Sequence, residues 1–385
     1  MKIIDFPQRH KGHKSIEFHL VYAVALGNSS KLAIQLNPVR KSFLTISVLL
    51  ILAFLTSRLL GSCKKENTDG LQLLQQEIPA GFPQPLYKFE DNPLSKEGFE
   101  LGRKLFYDAR LSIDNQHPCS SCHQQIAGFG TFEHDLSHGV NNSHTQRNAP
   151  VLFNLAWNSS FHWDGEFSSL KDEAAQPING HIEMGETFEG IINKLKDNKE
   201  YRDQFKKVFG SPFIRPEYIL KALAQFTGYM VSANSKYDQF KKGAVAFTAQ
   251  ENRGYQLFKA NCATCHPEPM FTDYSIRNIG LPVDNFLKDY GRVTVTGKKE
   301  DSLKFKVPTL RNTYISSNYM HDGRFGTLGQ CINHYRSGVQ QSTTLDLLLI
   351  NGIALTNAEA SDITVFLRTL TDSAFLTDPR FSKPQ

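Results

Sequence analysis

Two short runs carry the clearest chemistry in the chain: CSSCH at 119–123 and CATCH at 262–266. In a CxxCH run the two thiols add across the vinyl groups of a haem, and the histidine that follows gives a ring nitrogen to the iron. The spacing serves this because Cys, Cys and His fall on one turn of chain beside the macrocycle. A lone CxxC would equally fit a redox dithiol or half of a zinc site. Here CxxCH occurs twice, and no further CxxC stands by to complete a zinc site. The expectation is two covalently bound haem c groups. Cys119 and Cys122 would hold one, Cys262 and Cys265 the other, with His123 and His266 as iron ligands. The remaining cysteines, Cys63 and Cys331, do not make a disulfide framework.

A second stretch, NYMHDGRFGTLGQCINHY at 318–335, is rich in groups that bind transition metals. Met320, His321, Cys331, His334 and Tyr335 all qualify by type. The choice has chemical meaning. A thioether such as Met320 stabilises ferrous haem and raises its potential, whereas the phenolate of Tyr335 favours ferric or higher-valent iron. If the stretch is helical, His334 faces away from Tyr335, and Cys331 lies one turn before Tyr335 as a core residue.

The elements that must position these groups read as helices. LSKEGFELGRKLFYD, starting at Leu94, has apolar residues at helical spacing, and so does PEYILKALAQFTGYMV from Pro216, through Ile219, Leu223, Phe226 and Met230. TAQE (248–251) and TNAE (356–359) fit capping boxes at two further helix starts. GRKLFYD ahead of the first CxxCH parallels GYQLFKA ahead of the second, which suggests a duplicated unit. Strand-like alternation is scarce. The expected fold class is all-α: two helical domains, 91–240 and 241–385, one haem in each. A polar and Pro-rich segment at 63–90 reads as a tether.

The formal charge of +5 is concentrated at the N-terminus, where residues 1–62 hold eight Lys/Arg and two Asp/Glu. The rest is near neutral and is no nucleic-acid binder. Arg40 and Lys41, an apolar run from Phe43 to Leu55, then Gly61 and Ser62 before Cys63, have the layout of a secretory signal peptide. The apolar run is short for a spanning helix. LLGSC also resembles a bacterial lipobox, which makes Cys63 the lipidated first residue of the mature protein. The expectation is a periplasm-facing protein tied to the cell envelope through that lipid alone. Residues 1–38 precede the usual position of a signal peptide, and a start at Val39 would account for them.

From about residue 94 to 375 the chain resembles the bacterial di-haem cytochrome c peroxidase family, which includes MauG-type enzymes. The landmarks are LGRKLFYDARLS, CSSCH, QRNAPVLFN, FHWDGEFSSL, PINGHIEMGE, CATCH, VPTLRN and YMHDG followed by TL. The resemblance implies two cytochrome-c-like domains, with the reactive haem in the N-terminal one. It implies roles for residues as well. Glu183 falls at the distal glutamate that moves a proton during peroxide cleavage, which burial would favour by raising its pKa. Ten residues earlier the family usually has Gln; this chain has Glu173, or Gln176 serves instead. Trp163 matches a Trp between the haems that passes electrons. His138, or His144, falls where some members place a histidine that caps the reactive iron at rest. Asn148 matches the side-chain ligand of a calcium ion between the domains, with carbonyls of Ser316 and Asn318 completing it, although the family usually has Pro at 318. The distal ligand of the second haem lies fourteen residues after His321, at Tyr335, as in MauG-type members; the peroxidases have Met there.

The resulting expectation is a peroxidase that reduces hydrogen peroxide to water at the N-terminal haem. Electrons would pass through the C-terminal haem from a small donor cytochrome or another periplasmic reductant. Two other functions fit the same motifs: a MauG-like peroxide-dependent oxidase of a protein or organic substrate, and a plain di-haem electron carrier. Family members often form homodimers, and this one is expected to be able to.

Overall fold

The amphipathic run after Ser95 folds as α1 (Lys96–Phe106), and the Ser95 hydroxyl accepts the Gly98 N–H at its start. In chain order there follow α2 (Phe188–Leu195), α3 (Lys199–Phe209), α4 (Pro216–Tyr229) and α5 (Lys236–Lys241), then α6 (Ala249–Asn261), α7 (Leu328–Asn333) and α8 (Asn357–Arg368). Both expected capping boxes are present, at Thr248/Glu251 and Thr356/Glu359. Shorter helical turns include those over Cys119–Cys122 and Ala175–Asn179. The only strands among the described residues are β1 (Ile276–Arg277) and β2 (Phe305–Lys306), paired antiparallel. The computed structural model describes residues 70–385, which belong to one compact unit. Cys63 and the signal-like segment lie outside the described residues.

Two large hydrophobic cores, each built on a crossed helix pair, fill this unit, with a small third cluster around Ala156, Trp157 and Met270. In the first, α1 packs on α4, with Leu101, Leu105, Ile219 and Phe226 fully buried. In the second, α6 packs on α8, with Phe258 and Phe366 fully buried. Each crossing is made at a glycine. A Cβ on Gly102 would sit 1.9 Å from the Ala222 carbonyl, and one on Gly254 would sit 2.0 Å from the Asp362 carbonyl. These are the glycines that open GRKLF and GYQLF, so the sequence echo marks the same packing event twice.

The cores do not divide as the expected boundary at 240/241 does. Tyr237 on α5 already belongs to the second core, and Phe375 and Phe381, at the C-terminus, return to the first. The segment before α1 also departs from a free tether. The Leu86 and Tyr87 N–H groups both donate to the Ala156 carbonyl, Phe89 is buried, and the Trp157 indole donates to the Pro83 carbonyl at 2.7 Å. Its aromatic residues anchor a Pro-rich stretch that composition alone marks as loose.

A second repeat, which the sequence reading missed, is stronger than the first. Residues 148–170 and 306–328 share one backbone path. Asn154 and Asn312 both take positive φ, 56° in each, ahead of a short helical turn. Asn154 closes the chain leaving α4, its Oδ1 accepting the Ser232 N–H at 2.9 Å. Asn312 does the same after α8, accepting the Asp372 N–H at 2.7 Å. Further on, FHWDGEF and YMHDGRF each form a turn closed by a backbone bond of 2.8 Å, from Phe161 to Phe167 and from Tyr319 to Phe325.

Candidate haem centres

At both CxxCH runs the histidine is prepared in the same way. His123 Nδ1 donates to the Phe129 carbonyl at 2.8 Å, and His266 Nδ1 to the Phe271 carbonyl at 2.9 Å. Both acceptors, Phe129 and Phe271, sit at positive φ (60° and 55°), an uncommon backbone that turns each carbonyl back onto its histidine. Burial lowers the pKa of both rings, although backbone carbonyls, Phe129 and Pro150 for His123 and Phe271 and Pro308 for His266, pull the other way. The four motif cysteines are unpaired thiols, and burial raises the pKa of each. Two adjacent thiols with a neutral, oriented imidazole fit a covalently attached haem at each run.

The environments beyond these anchors differ. Beside the first run, burial raises the pKa of Glu183, although the Gln176 amide and the charge of His162 pull the other way. Gln176 Nε2 donates to Glu183 Oε1 at 3.3 Å. The segment carrying Glu183 meets the one that follows the first motif: the Val140 N–H donates to the Glu183 carbonyl at 2.9 Å, and the Cys122 thiol lies 3.9 Å from the His138 carbonyl. Glu173 is not its partner: Glu173 Oε2 lies 3.7 Å from His162 Nε2. The two carboxyls therefore have separate partners, and Gln176 takes the amide position on Glu183.

His138 packs between two other imidazoles, with ring centroids 4.7 Å from His134 and 4.6 Å from His144. It lines a cavity with Gln116, His117, Ser121, Thr131 and His134, and neither Glu183 nor Gln176 borders that cavity.

At the second run the corresponding group is aromatic. A π-helical turn over His334–Gly338 follows α7 and carries Tyr335 inward. Burial raises the pKa of its hydroxyl, and the thiols of Cys331, Cys262 and Cys265 add to the rise. His334 is taken up elsewhere, its Nε2 bonding the Ile279 carbonyl at 3.0 Å. Cys331 is buried, its thiol donating to the Thr327 carbonyl at 3.4 Å. Met320 occupies the positive-φ corner of its turn, the place His162 holds in the other repeat.

Trp163 lies at the junction. Its indole donates to the Asn148 carbonyl at 2.7 Å, and its own carbonyl accepts the Lys306 N–H at 2.6 Å. Asn148 also donates its backbone N–H to the His321 carbonyl and its amide to the Asp135 carbonyl. Ser316 donates its hydroxyl to the Asn318 carbonyl at 2.7 Å, and the Asn318 amide bonds Gly323. Asn148 and the 316–323 turn thus meet through backbone oxygens, which are hard donors of the type calcium takes.

Sequence reasoning missed three residues here. Arg147 bonds Asp164 at 2.5 Å and Asp289 at 2.6 Å, tying the first repeat to the segment between β1 and β2. Lys306 is half-buried, with Nζ donating to the Ser160 carbonyl at 2.9 Å; desolvation of the ammonium pushes its pKa down to about 8, against the charges of Glu173 and Asp164. His162 faces Glu173 on one side and Glu166 on the other. A lysine inside the apolar FKVPTL run was the one visible sign.

Residues 96–246 match the family model described as di-haem cytochrome c peroxidase. The chain is 33% identical over 300 residues to methylamine utilization protein MauG of Methylorubrum extorquens, covering 76% of this chain and 82% of that protein. It is 36% identical over 283 residues to cytochrome c551 peroxidase of Nitrosomonas europaea, covering 72% and 81%. Among solved structures it is similar to a MauG-like protein associated with microbial copper homeostasis, with a TM-score of 0.75 and 31% identity over 81% of this chain and 99% of that one. The di-haem peroxidase BthA of Burkholderia thailandensis shares the fold, with a TM-score of 0.65 at 19% identity, over 81% of this chain and 98% of that one. With its mostly helical fold and two matched CxxCH sites, the chain belongs to the di-haem cytochrome c peroxidase family and is a peroxidase of the kind that carries two haem c groups.

Proposed function

We propose that the protein reduces hydrogen peroxide to water at the site of Cys119, Cys122 and His123, using electrons that a small cytochrome delivers at the site of Cys262, Cys265 and His266. The observation that carries this reading is the Glu183–Gln176 pair beside the first motif. The bound haems supply the one-electron iron chemistry, and the chain supplies proton handling and positioning. Glu183 takes the proton from the inner oxygen of peroxide and returns it to the outer one, so that water can leave. Gln176 holds Oε1 and leaves Oε2 to carry that proton. Trp163, fixed from both repeats, spans the junction that electrons cross. Asn148 with the carbonyls of Ser316 and Asn318 holds a calcium ion that stiffens the same junction. Cys63 anchors the protein by lipid to the cell envelope, facing the periplasm, where two copies pair.

The test is steady-state oxidation of a reduced small cytochrome by peroxide. Wild type turns over and Glu183→Gln does not; equal rates would remove Glu183 from the reaction.

A second reading, a MauG-like oxidase of a protein or organic substrate, is favoured by Tyr335 beside the second pair of thiols. A phenolate ligand suits an iron that works without prior reduction. An optical and EPR titration of the fully oxidised holoprotein with one equivalent of peroxide separates the two. If both sites change together without reductant, the oxidase reading gains. If no change occurs until one site is reduced, the peroxidase reading stands.

A further inference from the structure

Peroxide reduction consumes protons as well as electrons. In H2O2 + 2 H+ + 2 e− → 2 H2O the O–O bond breaks and two O–H bonds form. The electrons come from a one-electron donor such as a reduced cytochrome, and the protons must come from water outside. Glu183 can shuttle a proton between the two oxygens, but it is half-buried and its pKa is raised by burial, so reloading it calls for a donor nearer the surface.

One ladder of titratable groups runs from the surface toward this pocket. Glu166 has 45% of its side chain exposed, His162 18% and Glu173 12%. His162 Nδ1 is 3.9 Å from Glu166 Oε2, and its Nε2 is 3.7 Å from Glu173 Oε2. Each gap is closed by one water or a small side-chain rotation. Glu173 lies one turn before Gln176, the residue that bonds Glu183. The imidazole thus has one nitrogen toward the outside and one toward the inside, as a proton carrier needs.

We propose that His162, set between Glu166 at the surface and Glu173 inside, admits the protons that peroxide reduction consumes. This rests on the reading of the first site as the place of peroxide reduction. A proton arriving at Glu166 moves to His162 Nδ1, the ring releases its Nε2 proton to Glu173, and the Glu173 proton passes through pocket water to Glu183. The groups facing His162 fit the task. Burial disfavours its charge, but the carboxylates of Glu173, Asp164 and Glu166 outweigh burial and hold its pKa above the ordinary histidine value. Glu183 and His123 both feel its charge, which brings the ring within reach of the pocket. Lys306, on β2, feels the charges of Glu173 and Asp164 and so stands beside the same ladder. Phe167 packs edge-on against the ring, with centroids 4.8 Å apart, and limits its tilt.

The test uses the haem-loaded full chain. His162→Asn is the informative variant, because Asn tolerates the positive φ of 62° at this position and cannot carry a proton. It is expected to lower kcat about tenfold with KM for peroxide unchanged, to remove the fall of kcat at high pH, and to recover with added imidazole. Glu166→Gln, which lies at the surface and leaves packing intact, is expected to lower kcat about threefold and to enlarge the solvent deuterium isotope effect. If both variants keep the wild-type kcat and pH profile while Glu183→Gln is inactive, protons enter elsewhere and only this proposal falls. A loss in His162→Asn that imidazole does not restore, with no change in the pH profile, also overturns it, since that is the mark of a structural role. A wild-type protein that does not turn over peroxide would sink the functional reading and this one together.

Discussion

The two CxxCH regions use one scaffold for two purposes. Each has a helix pair crossing at a glycine, an asparagine at positive φ closing the end of the second helix, and a histidine held by a carbonyl at positive φ. They part ways in the segment that follows the repeated turn. After FHWDGEF the chain folds into the irregular stretch that carries Glu173, Gln176 and Glu183. After YMHDGRF it enters α7 and a π-helical turn that carries Tyr335. Attachment is thus a property of the repeat, and reactivity a property of what is appended to it. A carboxyl–amide pair makes a site for proton transfer; a half-buried phenol makes a site that favours oxidised iron.

The largest effect should come from breaking that difference directly. Glu183→Gln is expected to lower kcat for peroxide by about 10²- to 10⁴-fold, whereas Tyr335→Phe leaves peroxide cleavage nearer wild type and changes the spectrum of the second site. Steady-state kinetics and optical spectra of both variants check the contrast. What the repeats share should break equally. Gly102→Ala and Gly254→Ala each force a Cβ into a carbonyl, and each is expected to cost about 3 kcal/mol in denaturant unfolding. If only one of them destabilises, the two crossings are not equivalent. Asn154→Ala and Asn312→Ala each lose a backbone-capping side chain at positive φ, and each should cost about 2 kcal/mol by the same measurement.

The smallest effect sharpens the first site. The pKa of Glu183 is raised by burial, so its carboxylate is the minor form at low pH, and kcat/KM should rise with pH through that raised value. The acid limb should therefore lie above the ordinary carboxylate range of about 4.3. The Gln176 bond favours the ionised form. Gln176→Ala should push the pKa higher still and move the acid limb to higher pH, and an unchanged limb would show that Gln176 does not tune Glu183.

Much of this was legible in the residues. CxxCH is a local pattern, and capping boxes are local too, so Cys119 to His123, Thr248 and Thr356 could be read directly. The GRKLF and GYQLF echo pointed to duplication. The larger repeat over 148–170 and 306–328 escaped because it is conserved in backbone angles rather than in residue types: His162 stands opposite Met320 and Trp163 opposite His321. The partner of Glu183 could not be chosen between Glu173 and Gln176, since three residues in a loop of short turns decide which one faces the pocket. His162 and Arg147 gave no sign, and Lys306 only its place in an apolar run, because their meaning lies in contacts made across the fold by residues far apart in sequence. The return of Phe375 and Phe381 to the first core hid for the same reason.

The central claim is that peroxide reacts at the first site through Glu183 and that the second site does not meet it directly. The most direct measurement is stopped-flow optical spectroscopy of the holoprotein, with its second site reduced beforehand, mixed with peroxide, comparing wild type, Glu183→Gln and Tyr335→Phe. The account predicts a fast second-order reaction in wild type and Tyr335→Phe, and its loss in Glu183→Gln at equal haem content. A wild-type rate in Glu183→Gln, or a reaction lost only in Tyr335→Phe, would contradict it.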